Sequence, residues 1–251
     1  MANLYYREDL DAADFEADAT VEVTGDEAHH AVRVSPLREG EEILVGNGRG
    51  AIGRGAVTAV AKDRFSVRLD EAREDPQPGQ CLVLVQALAK GDRDERAVEQ
   101  ATEFGVDAIV PWEAARSVSR WGAEKAERGA AKWRRIAREA SKQSLRARIP
   151  EVGAPVGIEG LCALAVGEGR RLLVLHPGAD DALSAWASTE AARESGAIHV
   201  AIGPEGGIGD SELDALEAAG ALILRLGDTV LRTSSAGPAA LAVLNAALGR
   251  W

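Results

Sequence analysis

Residues 197–213 read AIHVAIGPEGGIGDSEL, and residues 222–248 read LILRLGDTVLRTSSAGPAALAVLNAAL. In each, a short apolar run empties into a loop of small residues, Gly203 to Gly207 in the first and Gly227 to Ser235 in the second, and then into a helical pattern. Strand, loop and helix in that order form the repeating unit of a parallel α/β sheet. Glycines at the carboxyl end of a buried strand let main-chain groups approach a ligand, and open α/β sheets bind ligands at that edge. Two such loops so close together imply one shared site.

The same grammar runs back to residue 81. CLVLVQAL (81–88), VDAIVPW (106–112) and RLLVLHP (171–177) read as further buried strands, with helices expected at 91–105, 123–145, 181–195, about 210–219 and about 234–249. Asp210 or Ser211 is the expected cap of one late helix and Ser234 of the other, with Gly220 ending the first and Pro238 inside the opening turn of the second. Residues 20–74 are different. Their apolar residues alternate with polar ones between closely spaced glycines, the period of a small β-barrel or meander, with a short helix expected around His29 to Val34. EDPQPGQ (74–80) is the best linker, so residues 1–75 and 76–251 are read as two domains.

The chain has 251 residues, and its 46% hydrophobic content is ordinary for a globular protein, while a net charge of −11 argues at first sight against nucleic acid. Its first residues lack the apolar core of a signal peptide, and no run approaches the roughly 20 apolar residues of a membrane helix, so a cytoplasmic location is expected. Cys81 and Cys162 stand alone in apolar stretches and read as buried thiols. Metal binding is not expected: His29 and His30 are adjacent, so their side chains diverge, and His199 falls inside an apolar strand. GNGRGAIGRG (46–55) has the glycine content of a dinucleotide fingerprint but opens no helix, so it reads as a β-turn.

Charge is unevenly distributed. Between Arg116 and Arg148 eleven Lys/Arg face three Asp/Glu, a local balance of +8 that leaves −19 for the rest. A solvated helix face explains such a block, and so does RNA binding, because Trp121 and Trp133 lie among the cations.

Taken together, HHAVRVSPLREGEEILVGNGRG, ALAKGDRDERAVEQATEFGVDAIVPWEAARSV, ASKQSLRARIP, LHPGA, IGPEGGIGDSEL and LGDTVLRTSSA resemble, in this order and over nearly the whole chain, the ribosomal RNA small subunit methyltransferase E family. The resemblance implies a PUA-like barrel followed by a SPOUT-class α/β domain with a C-terminal trefoil knot. It also implies an S-adenosylmethionine cofactor in the knotted loops, an active site completed by a homodimer, and N3-methyluridine in small-subunit rRNA as product. Carried over by position, the cofactor residues are Leu175, His176, Pro177, Ile202, Gly203, Glu205, Gly206, Gly207, Leu226, Gly227, Val230, Leu231, Arg232 and Thr233. Many relatives read LRTETA where this chain has LRTSSA, so Ser234 stands in place of a carboxylate, and Phe104 stands where leucine is more usual.

Uracil N3 carries a proton and is a poor nucleophile until that proton leaves. Glu205, the one carboxylate in the first loop, is therefore the candidate base, and Arg232 the candidate stabiliser of the anion that forms. Arg33, Arg93, Arg96, Arg116, Lys142, Arg146 and Arg148 are the candidate RNA contacts, and the target base must be unpaired or flipped. Two other classes stay open at this point. One is a non-catalytic RNA-binding protein; the other is an α/β enzyme that holds a small anionic metabolite at its helix N-termini.

Overall fold

The computed structural model describes residues 3–33 and 37–251. These residues form two compact units, one of the described residues up to 77 with 141–149 and one of residues 78–140 with 150–251.

The first unit is a curled five-stranded sheet. Its elements are β1 (Leu4–Tyr6), β2 (Thr20–Thr24), α1 (Gly25–Arg33), β3 (Glu42–Gly46), β4 (Ala51–Val60) and β5 (Arg64–Glu74), with the strands in the order β1-β3-β4-β5-β2. Only β1 and β3 run parallel. The period-two pattern does what it implies: Val21, Val23, Ile43, Val45, Phe65, Val67 and Leu69 face one core, while the residues between them are largely exposed. The short helix of this region begins earlier than expected, at Gly25.

Residues 141–149 belong to this unit although the linear reading gives them to the second. Gly50 N–H donates to the Ala147 carbonyl at 3.0 Å, and Ile149 N–H to that of Gly48 at 2.9 Å. The Tyr6 hydroxyl donates to the Arg146 carbonyl at 2.6 Å. Leu145, at φ +55°, takes the left-handed conformation that ends a helix. The segment SKQSLRARI is thus a strap on the sheet.

The second unit is a six-stranded, wholly parallel sheet in the order β11-β9-β10-β6-β7-β8. Its elements follow in chain order: β6 (Cys81–Ala87), α2 (Arg93–Glu103), β7 (Ala108–Trp112), α3 (Ala123–Gln143), β8 (Glu151–Val152), α4 (Ile158–Ala165), β9 (Arg170–Leu175), α5 (Leu183–Ala187), α6 (Glu190–Arg193), β10 (Ala197–Ile202), α7 (Asp210–Ala218), β11 (Leu222–Leu224) and α8 (Thr233–Ala247). Helices cover both faces, so successive strand residues enter different cores. Leu82, Leu84, Ile198 and Val200 meet Leu241 and Leu244 of α8, whereas Val85, Ala201 and Val174 meet Leu161 of α4 and Leu216 of α7. His199 is buried in β10, and burial lowers its pKa.

Several local readings are corrected. The stretch expected as one helix at 181–195 breaks at Thr189, whose hydroxyl donates to the Trp186 carbonyl at 2.7 Å and accepts from Ala192 N–H at 3.2 Å, capping a new helix. The N-cap of α7 is Gly209 rather than Asp210 or Ser211, because the Glu212 carboxylate reaches back to the Gly209 amide at 3.1 Å. That of α8 is Arg232 rather than Ser234, which leaves Pro238 beyond the first turn. Cys81 and Cys162 are free thiols, half-buried rather than fully so. No helix among the described residues is long and apolar enough to cross a membrane, and they hold no group of three or more metal-ligating side chains.

Candidate functional site

Strands β9, β10 and β11 are parallel neighbours or share one, so the loops after them emerge at a single edge of the sheet. There they enclose a cleft of about 550 Å³, within the usual range of small-molecule sites. His176 and Pro177 follow β9, Gly203 to Glu205 with Gly207 and Ile208 follow β10, and Leu226, Gly227 and Thr229 to Thr233 follow β11. Of the residues assigned to the cofactor by sequence, all line this cleft except Gly206. Gly206 instead backs onto Arg116, which a Cβ would approach to 3.1 Å. Sequence reasoning missed Pro204, Ile208 and Thr229, which lie in or beside the same loops, and Ala236 in the first turn of α8, and it gave Arg93 to RNA alone.

The first loop turns tightly: Gly207 N–H donates to the Pro204 carbonyl at 2.9 Å, and Gly207 sits at φ +75°. It is tied to the second loop by Thr233. The buried Thr233 hydroxyl donates to the Gly203 carbonyl at 2.9 Å and accepts from Gln86 Nε2, also at 2.9 Å. Gln86 is fully buried at the end of β6, so one hydroxyl fixes both loops to the sheet. No local pattern marks Gln86, since its partner lies 147 residues away.

Glu205 is not a bare carboxylate. Its Oε1 accepts from Arg93 Nη1 at 2.5 Å and from Lys90 N–H at 3.2 Å. Burial pushes its pKa up, but the Arg93 hydrogen bond, its own backbone amide and that of Lys90 outweigh this and hold it below the ordinary glutamate value. Arg232 is exposed and makes no ion pair among the described residues, while its carbonyl accepts from Ser235 N–H and Ala236 N–H at 2.9 and 3.0 Å. Val230 and Leu231 are 79% and 40% exposed, so core packing does not account for either; Leu226, by contrast, packs partly into the core. Large apolar side chains left open beside a cleft are surface that a ligand or partner covers.

The basic candidates have divided. Arg116 donates to the Ile208 carbonyl at 3.3 Å and braces the glycine loop. Next to it the buried Glu212 carboxylate accepts from Ala115 N–H at 2.8 Å, joining the segment after β7 to the start of α7. Lys142 pairs with Glu27 at 3.1 Å with both side chains nearly buried, and Arg148 donates to the Asp75 carbonyl at 2.6 Å, so both are engaged in holding the strap. Arg146 is half-buried in the same strap, and Arg96 is exposed but paired with Asp92 at 2.8 Å. The side chain of Arg33 lies outside the described residues. Exposed cations missing from the sequence list include Lys125, Arg128 and Arg135, spaced along one face of α3.

Residues 76–245 match the RNA methyltransferase domain family, and residues 23–70 match the RNA methyltransferase PUA domain family. Over 254 aligned residues the chain is 37% identical to the ribosomal RNA small subunit methyltransferase E of Mycobacterium bovis, covering 100% of this chain and 94% of that protein. The chain belongs to the small subunit methyltransferase E family. Identity to the Bacillus subtilis member of that family is 29%, over 94% of each chain. Among solved structures, the small subunit methyltransferase E of Neisseria gonorrhoeae bound to S-adenosyl methionine superposes with a TM-score of 0.83 at 25% identity, covering 98% of both chains. Membership of a methyltransferase family removes the readings as a non-catalytic RNA-binding protein and as an enzyme of anionic metabolites.

Proposed function

We propose that this chain transfers the methyl group of S-adenosylmethionine to N3 of a uridine in small-subunit rRNA, on the assembled subunit in the cytoplasm. The observation that carries this reading is the cleft itself, in which the two glycine loops meet at the carboxyl edge of the sheet in a chain of this family.

The residues present suit the donor. Leu175, Ile202, Leu226 and Leu231 offer apolar cover for the faces of an adenine, while the main chain of the two loops offers hydrogen-bonding groups for its edge. When bound, S-adenosylmethionine supplies an electrophilic methyl. Arg232, unpaired and at the N-terminal end of α8, stabilises negative charge on a uracil oxygen as N3 loses its proton. Glu205 is ionised and spent on Arg93, which makes it a weak proton acceptor; its part is to hold Arg93 and the Lys90 segment against the cleft. We extend the reading to a trefoil knot in the chain that forms these loops, and to a homodimer in which a second copy covers Val230 and Leu231.

Transfer of labelled methyl to small-subunit particles and to free rRNA, with the modified base identified by mass spectrometry, tests the activity. Incorporation at uridine N3, stronger on particles, is expected; no incorporation into either overturns it. Arg232→Ala should lower kcat about 100-fold, the usual loss for one oxyanion donor, with donor affinity kept. Light scattering that shows only monomer at assay concentrations removes the shared-site dimer.

A further inference from the structure

Beside the methyl-donor cleft lies a second recess of about 310 Å³, lined among others by Lys90, Asp94, Val118, Ser119, Trp121 and Lys132. The two share a wall. Lys90 N–H bonds Glu205 and Arg93 lines the cleft, while Lys90, Asp94 and Glu95 line the recess, so the two openings are about one short stretch of backbone apart. Of the two tryptophans in the basic block, Trp133 is buried, and only Trp121, half-buried, offers an open aromatic surface.

Trp121 is held rather than loose. Its amide donates to Glu113 Oε1 at 2.7 Å, and its ring meets Trp133 edge-on with centroids 5.2 Å apart. It also lies across Gly129: a Cβ there would come within 2.5 to 2.7 Å of Cε2, Cδ2 and Cζ2, the pattern of a ring laid face-on against the helix. Glycine inside a helix costs about 1 kcal/mol relative to alanine, and here it makes room for the ring. Around this platform stand the side chain of Lys90, Lys132 paired to Glu95 at 2.5 Å, and Lys125 and Arg128 on the same face of α3. Val118, 72% exposed, forms an apolar lip.

We propose that this recess is a nucleotide subsite for single-stranded RNA, in which the base next to the target stacks on Trp121 while Lys90 and Lys132 meet its phosphate. The inference rests on the methyltransferase reading of the adjoining cleft and adds to it the place where the substrate is gripped. A fixed aromatic surface beside exposed cations is the usual construction for sequence-tolerant single-strand binding, and a flanking base held there leaves its neighbour unstacked at the cleft.

The test uses two variants of the full chain: Ser119→Trp, which fills the recess without removing packing, and Lys132→Ala, which removes a cation. Affinity for a short oligouridine, and KM on small-subunit rRNA, should weaken about tenfold in each, with the affinity for S-adenosylmethionine kept as the sign of an intact fold. Oligouridine affinity within twofold of the wild type in both variants overturns the subsite, and so does a wild-type chain that fails to bind oligouridine. Because oligouridine binding is read without methyl transfer, a chain that bound it through the recess and methylated nothing would sink the proposed activity and leave the subsite standing.

Discussion

Two stretches of this chain are rich in glycine, 46–55 and 203–207, and they use it for opposite ends. In the first, glycine brings two strands together: a Cβ on Gly55 would come within 1.9 Å of the Arg68 carbonyl oxygen, and one on Gly53 would meet Leu69 at 2.6 Å. In the second, the obstacle at Gly203 is the side chain of Ile208 at 2.7 Å, and the loop opens on a cleft. What separates them is the element that follows. The first runs from the end of β3 into β4 and the sheet continues, whereas α7 follows the second and the loop is left at an edge. Glycine content alone therefore says that the backbone is crowded, and the neighbouring elements say by what.

Substitution at one glycine of each stretch sharpens the contrast. Gly55→Ala places a methyl against backbone that belongs to the neighbouring strand, so β4 and β5 must part around the bulge already present at Arg54 and Gly55. The expected cost exceeds about 3 kcal/mol, which in a melt lowers the transition of the first unit by about 10 °C or more, with donor affinity unchanged. An unshifted melt would place Gly55 in the same class as Gly203. Gly203→Ala presses on a side chain that can turn, so its melting shift should stay near 1 kcal/mol. Ile208 lines the cleft, however, and donor affinity should fall about tenfold as it is displaced into that space. A lowered melt with full donor affinity would make this loop structural like the other.

The sequence is most legible where the chain signals locally. Alternation in β2 and β5, continuous apolar runs in β6 and β10, and small residues after β10 and β11 each describe their own few residues, and all of them carry through to sheet, core and cleft. Side chains whose surroundings depend on a remote partner are less legible. Lys142 and Arg148 read as free cations in the sequence, whereas the fold brings Glu27 and Asp75, more than 70 residues away, to them. Gln86 looks unremarkable until β6 meets Thr233 of α8, and Trp133 looks as available as Trp121 until α3 turns it into the core. Helix caps failed for a related reason. Glu212 is free to choose between neighbouring amides, and the one it chose moved the cap to Gly209.

Glu205 gives the smallest effect and the finest division between the two glycine stretches, because it is the one charged residue of 203–207 and lines the cleft. Its pKa in the folded chain lies below that of a free glutamate, so it binds fewer protons folded than unfolded, and its pairing stabilises the loop above the unfolded value. That contribution is complete at neutral pH and is lost only as pH falls below roughly 4.3 toward the folded value. Arg93 is 46% exposed in the pair, so solvent screens it and its worth is about 0–1 kcal/mol. Glu205→Gln at neutral pH should therefore mimic acidified wild type: a melt lowered by a degree or two, a difference that shrinks in high salt, and methyl transfer within about threefold of wild type. If Glu205 took the proton from N3, the same variant would lose most of its turnover across the neutral range while binding donor normally. The rate of Glu205→Gln at pH 7 thus decides whether the loop carries catalysis or only shape.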